Sequence, residues 1–201
     1  MPRERKYNNM KVVTIMREYG AGGHSVGKKV AEKLGVEFYD KDIIKETARI
    51  MGMTPEEVKE GEEKITKGDS FLRAITPISF DYKDTIYNYE REVIEKIAAK
   101  GPCVILGRCA GEILLNKGVD CLNVFLYADI VHCAKRAAEL LGTDDMNFVY
   151  KDMKKRNASR NTYYQYYTGK QLGDSKNWHI VLNTGELGFD TCADIICLAA
   201  Q

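Results

Sequence analysis

No apolar run in this chain approaches the roughly 18–20 residues that span a bilayer. Neither sign of charge dominates: 30 Lys and Arg stand against 29 Asp and Glu. A net charge of +1 gives no global attraction to nucleic acid or to an anionic membrane. The six cysteines, at 103, 109, 121, 133, 192 and 197, form no Cys-x-x-Cys pair, and the three histidines do not cluster with them. A zinc site is therefore not expected, nor is a disulfide framework in a chain of this length without a secretory signal. Buried or idle thiols in a reducing cytoplasm are the expectation. The basic segment 1–11 lacks the apolar centre of a signal peptide and reads as a solvated tail. Internal repeats and low-complexity segments are missing too. What is present is an ordinary mixture, 44% hydrophobic and 29% charged, in 201 residues, which suits a single globular domain and excludes disorder.

Residues 11–16 form a β-branched apolar run that suits a buried strand. It stops at a glycine-rich turn, after which Val26, Val30 and Leu34 recur every four residues until Gly35 closes a helix. A second strand is expected at 36–40 and a helix at 41–51. Thr54-Pro55-Glu56-Glu57 has the form of a capping box and opens a short charged helix. Residues 84–100 make a long helix stopped by Gly101-Pro102. Strands at 103–106 and 122–127 follow, and Asp129 caps a helix running to Leu141. Another helix begins near Asp144 or Asp145 and ends before Gly169. The last strand is read at 179–182 and a closing helix at 189–198. Strands alternating with helices imply a mostly parallel sheet covered on both faces. The chain thus reads as one α/β domain of three layers, α/β/α, with core segments 11–54, 84–156 and 177–199. Stretches 55–83 and 157–176 are excursions from that core.

The turn after the first strand is Arg17-Glu-Tyr-Gly20-Ala21-Gly22-Gly23-His24-Ser25. A strand running into such a turn and then a helix is the geometry that cradles phosphate, because backbone N–H groups converge and the helix start adds partial positive charge. The match to the standard P-loop, G-x-x-x-x-G-K-[ST], is degenerate: Arg17 stands at the first glycine and Gly23 where the lysine belongs. His24, Lys28 or Arg17 could supply the missing charge, and Ser25 the hydroxyl for a magnesium ion. The alternative is a tight strand-to-helix turn with no ligand.

Residues 151–176 carry Lys151, Lys154, Lys155, Arg156, Arg160, Lys170 and Lys176 against Asp152 and Asp174. This local excess of five positive charges leaves the remainder of the chain net acidic. Arg156 and Arg160 are four apart and share a helix face. Tyr163, Tyr164, Tyr166 and Tyr167 interleave with this stretch, and stacking on nucleic-acid bases is a conceivable use. The patch is short, so packing at the base of the excursion is the preferred reading of the tyrosines, and nucleic acid is not the expected partner.

Several of these segments together resemble the cytidylate kinase-like family of P-loop kinases. They are Arg17 to Gly23, Val26-Gly27-Lys28-Lys29, Phe38-Tyr39-Asp40-Lys41, Gly107-Arg108-Cys109-Ala110, the run from Tyr163 to Lys170, and Asn183-Thr184. The resemblance implies a P-loop kinase fold whose five-stranded parallel sheet has the order 2-3-1-4-5, an acceptor-binding excursion at about 55–83 and a lid at about 157–176. It implies ATP with Mg²⁺ as donor and CMP or dCMP as the type acceptor. It would place the donor phosphates over Gly20, Ala21, Gly22, Gly23, His24 and Ser25, with Lys28 nearby and Ser25 toward the metal. It would bring Asp40, Lys41, Arg91 and Arg108 to the acceptor, and Arg156 and Arg160 to the transferred group as lid arginines; Arg17 is the third catalytic candidate. This chain departs from the family pattern at Gly23, at Leu106 in place of an acidic residue, at Cys109 in place of the aspartate that reads cytosine, at Glu46 in place of an arginine, and at His24. The expected function is ATP-dependent phosphoryl transfer to a nucleoside monophosphate or similar small acceptor. The alternatives are a nucleotide-binding regulator with little catalysis and a kinase for a non-nucleotide metabolite. The partners expected are that nucleotide or small-molecule acceptor, with a homo-oligomer left open.

Overall fold

The computed structural model describes residues 11–63 and 82–201. The basic tail and the middle of the 55–83 excursion lie outside the described residues.

Five strands form one parallel sheet: β1 (Val12–Arg17), β2 (Glu37–Tyr39), β3 (Cys103–Leu106), β4 (Cys121–Tyr127) and β5 (Ile180–Asn183), in the order β2-β3-β1-β4-β5. The register is continuous, with Ile15 opposite Leu106 on one side and Val124 on the other. Alternate side chains of a strand point to opposite faces, so each apolar strand feeds two cores. Val13, Ile15, Val104 and Leu106 pack with Val26, Val30 and Leu34 of α1 (Gly23–Leu34) and Cys192 and Ile196 of α8 (Thr184–Ala199). Val12, Cys103 and Ile105 pack on the other face against Ile43 of α2 (Lys41–Met51), Val93, Ile94 and Ile97 of α4 (Tyr82–Ala98), and Ile113 and Leu114 of α5 (Ala110–Asn116). Each such fully buried side chain is worth about 1.5–3 kcal/mol.

Three further helices complete the described fold. In α3 (Pro55–Glu63) the capping box is formed in both directions: Glu57 N–H donates to Thr54 Oγ1 at 3.2 Å and Thr54 N–H to Glu57 Oε2 at 2.8 Å. Asp129 caps α6 (Ile130–Leu141) by accepting from the N–H groups of Val131 and His132. From Met146 to Thr168, α7 is unbroken and ends at Gly169, so residues 157–168 continue a helix that starts in the core segment.

Three local features escape the sequence pattern. A seven-residue helix, α5, is too short to show a period. One 3₁₀ turn at Ser175–Asn177 is held by Asp174 accepting from Lys176 N–H. The closing helix begins at Thr184, capped by Asn183, and is broken at Gly188 (φ 73°, ψ 163°); the apolar period seen from Phe189 onward is its second segment.

Candidate active site

β1 delivers Arg17 to the carboxyl edge of the sheet, and the chain then turns through Gly20 (φ 90°) and Gly22 (φ 76°) into α1. Both glycines answer to conformation and to space. Their φ values are left-handed, and a Cβ on Gly20 would strike the carbonyl of Cys133, one on Gly22 the ring of Phe189. The first turn of α1 has no side-chain cap, so its N–H groups are presented along the loop. Two contacts fix the loop's outer side: Tyr19 N–H donates to Asn157 Oδ1 of α7 at 2.7 Å, and Thr184 Oγ1 donates to Ala21 O at 2.9 Å.

Beside this loop lies a cleft of about 660 Å³ lined by Met16 and Arg17 of β1, Lys59 of α3, Arg108 after β3, and Asp152, Lys155, Arg156, Ser159, Arg160 and Tyr163 of α7. Six of these side chains are cationic and one is a carboxylate. Arg156 is paired with that carboxylate, Asp152, one helical turn earlier. Burial is the main reason the Arg17 guanidinium is pushed down to about 9, with Arg160 adding repulsion, Asp40 partly offsetting it and Arg108 repelling further. Arg160 is lowered to about 10, again mainly by burial and then by Arg156. Both stay protonated at neutral pH, and Arg160 Nη1 is buried without an acceptor among the described residues. Crowded like charges of this kind are stabilised by an anion.

Arg108 reaches the cleft through a strained turn: after Gly107 (φ 84°), Arg108 (φ 59°) and Cys109 (φ 53°) are both left-handed. Its Nε pairs at 3.0 Å with Glu90, which is 0% exposed and also accepts from Tyr163 Oη at 2.6 Å. Glu90 therefore ties the turn after β3 to α7. A second tie lies behind it. Tyr164 Oη donates to Glu112 at 3.2 Å and Lys170 Nζ to the same carboxylate at 2.7 Å. Burial, together with Glu112, raises the Tyr164 phenol. Tyr87 stacks on Tyr167 with centroids 3.8 Å apart, and Tyr163 meets Tyr167 edge-on, so these tyrosines pack at the base of α7.

Arg17, Arg108, Arg156 and Arg160 are thus brought together, with Asp40 within electrostatic reach of Arg17 and Arg160. Other residues expected at the site are placed elsewhere or engaged otherwise. His24 Nδ1 lies 2.8 Å from Asp40 Oδ2. Lys28 faces Glu32 at 3.8 Å on an exposed surface of α1. Ser25 Oγ accepts a 2.7 Å bond from Arg136, whose guanidinium lies over the Phe189 ring. Lys41 and Arg91 are exposed and do not line this cleft.

Glu90, Arg136, Asn157 and Phe189 are the residues that sequence reasoning missed. For Glu90 a signal existed: a carboxylate four residues after Ile86 and four before Ile94 sits on the apolar stripe of α4. Arg136 and Asn157 carry no such mark.

The model of the cytidylate kinase-like family matches residues 12–186. The chain belongs to that family. Among solved structures, an uncharacterized protein from Eubacterium ventriosum ATCC 27560 is similar with a TM-score of 0.72 and 27% identity, over 94% of this chain and 98% of that one. Similar at lower identity are a shikimate kinase from Acinetobacter baumannii in complex with shikimate (TM-score 0.50, 18% identity, 94% and 92% covered) and a gluconokinase from Sinorhizobium meliloti 1021 (0.53, 15%, 95% and 94%). At such identities these two show the fold alone, a P-loop kinase fold. No curated protein matches the chain. Family and fold together support a phosphotransferase, and no helix among the described residues is long and apolar enough to cross a membrane.

Proposed function

We propose that this protein transfers the terminal phosphoryl group of ATP to a small acceptor, with nucleoside monophosphates the first class to test. The observation that carries the reading is the convergence of Arg17, Arg108, Arg156 and Arg160 on one cleft beside a glycine loop, with Arg160 Nη1 buried and lacking an acceptor among the described residues. The N–H groups at the start of α1 hold the donor phosphates. Phosphoryl transfer needs alignment and cations over the equatorial oxygens more than covalent help. Arg160 and Arg156 supply that charge from α7, whose segment 157–168 with the following turn acts as the lid and excludes water. Arg108, held by Glu90, and Asp40 face the acceptor. A phosphate acceptor is anionic near neutral pH, so no general base is needed.

The protein's own groups do not fit a resident magnesium. Ser25 Oγ accepts from Arg136, position 106 is a buried leucine, and no cluster of three or more His, Cys, Asp or Glu that could hold a metal occurs among the described residues. Mg²⁺ enters this reading as the counter-ion of the nucleotide. The same Ser25–Arg136 contact, together with Gly23, favours a second reading, a nucleotide-binding regulator with little turnover.

The test is transfer from labelled Mg²⁺-ATP to CMP, dCMP, UMP, AMP, GMP and a pooled metabolite extract, with ATP binding measured in parallel. A labelled nucleoside diphosphate establishes the kinase and names the acceptor. A product from the extract alone moves the acceptor to a non-nucleotide metabolite. Binding without any product leaves the regulator.

A further inference from the structure

A P-loop without its lysine has to neutralise donor phosphate in another way, and the sequence leaves three candidates: Arg17, His24 and Lys28. The structure separates them. His24 is committed to Asp40, and Lys28 is exposed and points along α1 toward Glu32. Arg17 makes no hydrogen bond or ion pair among the described residues, and its guanidinium is crowded by Arg160 and Arg108, which Asp40 offsets only in part. A half-buried cation held in that way is costly unless an anion arrives.

Its path is equally informative. The stem of Arg17 crosses directly over the start of α1, so that a Cβ on Gly23 would lie 2.7 Å from Arg17 Cγ. Beyond the stem, Nη1 rests against Gly107, where a Cβ would lie 2.7 Å away. Real Cβ atoms do not approach heavy atoms so closely, and the Cγ of Arg17, near the backbone, has little room to move. The side chain of Arg17 therefore passes through the space in which a side chain at 23 would begin.

We propose that Arg17 is the phosphate-binding cation of this loop, that it occupies the place of the P-loop lysine, and that glycine at 23 is the packing consequence. The inference rests on the nucleotide reading above. The two departures from the P-loop pattern, arginine at the first position and glycine at the seventh, then form one compensated exchange. Neither residue can be reverted alone. Arg17→Ala removes the charge, and Gly23→Lys with Arg17 present forces two stems into one channel. Arg17→Ala with Gly23→Lys opens the channel and refills it with a cation.

The experiment is calorimetric titration of ATP, and separately of inorganic triphosphate, into the wild type, Arg17→Ala, Arg17→Gln, Gly23→Lys and the double variant, with unfolding midpoints recorded for each. Loss of a charge-assisted phosphate contact is expected to weaken binding about tenfold or more in Arg17→Ala and Arg17→Gln. Gly23→Lys alone is expected to weaken it as well, and the double variant to return to within about threefold of wild type. Arg17→Gln keeps most of the stem, so equal loss in both Arg17 variants at unchanged midpoints assigns the effect to charge. Unchanged affinity in both Arg17 variants overturns the inference while leaving the nucleotide site intact, as does a double variant no better than Arg17→Ala. A wild type that binds neither ATP nor triphosphate overturns the nucleotide reading and this inference with it.

Discussion

At the scale of single residues, the site is organised by charges that lack or share partners. Glu90 is the shared one: fully buried, it serves Arg108 and Tyr163 at once. Glu90→Ala leaves Arg108, 21% exposed, without that counter-charge, and is expected to cost about 3 kcal/mol in denaturant unfolding. Arg160 carries the opposite character, with a buried Nη1 that no described residue accepts from. On the proposed mechanism, in which its charge acts on the transferred group, Arg160→Ala is expected to lower turnover about tenfold or more with ATP affinity little changed. Unchanged turnover in steady-state kinetics removes it from the mechanism. The lowered values of Arg17, about 9, and Arg160, about 10, set a pH dependence. Both are charged at neutral pH, so anion affinity holds there and declines as pH rises through about 9 to 10, which titration of triphosphate at stepped pH checks. The stability term runs the other way. Folded values below the ordinary 12.5 mean that the charged forms oppose folding at neutral pH, and that this opposition fades as pH rises above about 9. Of this cluster, Arg17, Arg108, Arg156 and Arg160 were legible in the sequence as motif residues or as an i, i+4 pair. Arg136 was not, because an arginine on an exposed-looking helix turn gives no hint that Ser25, 111 residues away in sequence, accepts from it.

At the scale of elements, the glycine loop and α7 hold one another. Asn157 of α7 accepts from Tyr19 N–H, and Glu90 and Glu112 secure α7 through Tyr163 and Tyr164. The charge pattern of α7 reads as a basic surface, whereas its anchoring comes from three polar contacts, at Asn157, Tyr163 and Tyr164. The loop has its own constraint. At Gly20 a Cβ would meet backbone of Cys133, which cannot turn aside, while at Gly22 it would meet the far edge of the Phe189 ring, which can. Gly20→Ala is accordingly expected to cost about 3 kcal/mol and Gly22→Ala clearly less, as compared by denaturant unfolding. Equal costs would mean that Phe189 is held as firmly as backbone. The three glycines announce a turn in the sequence; which of them tolerates a side chain depends on what α6 and α8 bring against it.

For the whole molecule, the cleft gathers six cationic side chains whose mutual repulsion a bound polyanion would relieve. ATP or inorganic triphosphate at about 100 times its dissociation constant is expected to stabilise the fold by about 2.7 kcal/mol. The shift should shrink as salt screens the attraction, which thermal unfolding across an ionic-strength series reads directly. A ligand-independent midpoint would speak against the cleft as an anion site. The sequence by itself determined the sheet and its helical layers, because continuous apolar runs mark strands buried on both faces and a period of about four marks helices buried on one. With the family motifs it also determined the strand order 2-3-1-4-5, and it located the glycine loop. Only the tertiary structure decided which charges meet. Glu90 and Tyr163 are 73 residues apart, and Tyr19 and Asn157 138 apart; such pairs are created when separate elements dock, and local patterning holds no record of them. The same docking routes Arg17 over Gly23, turning two apparent defects of a P-loop motif into neighbours in space.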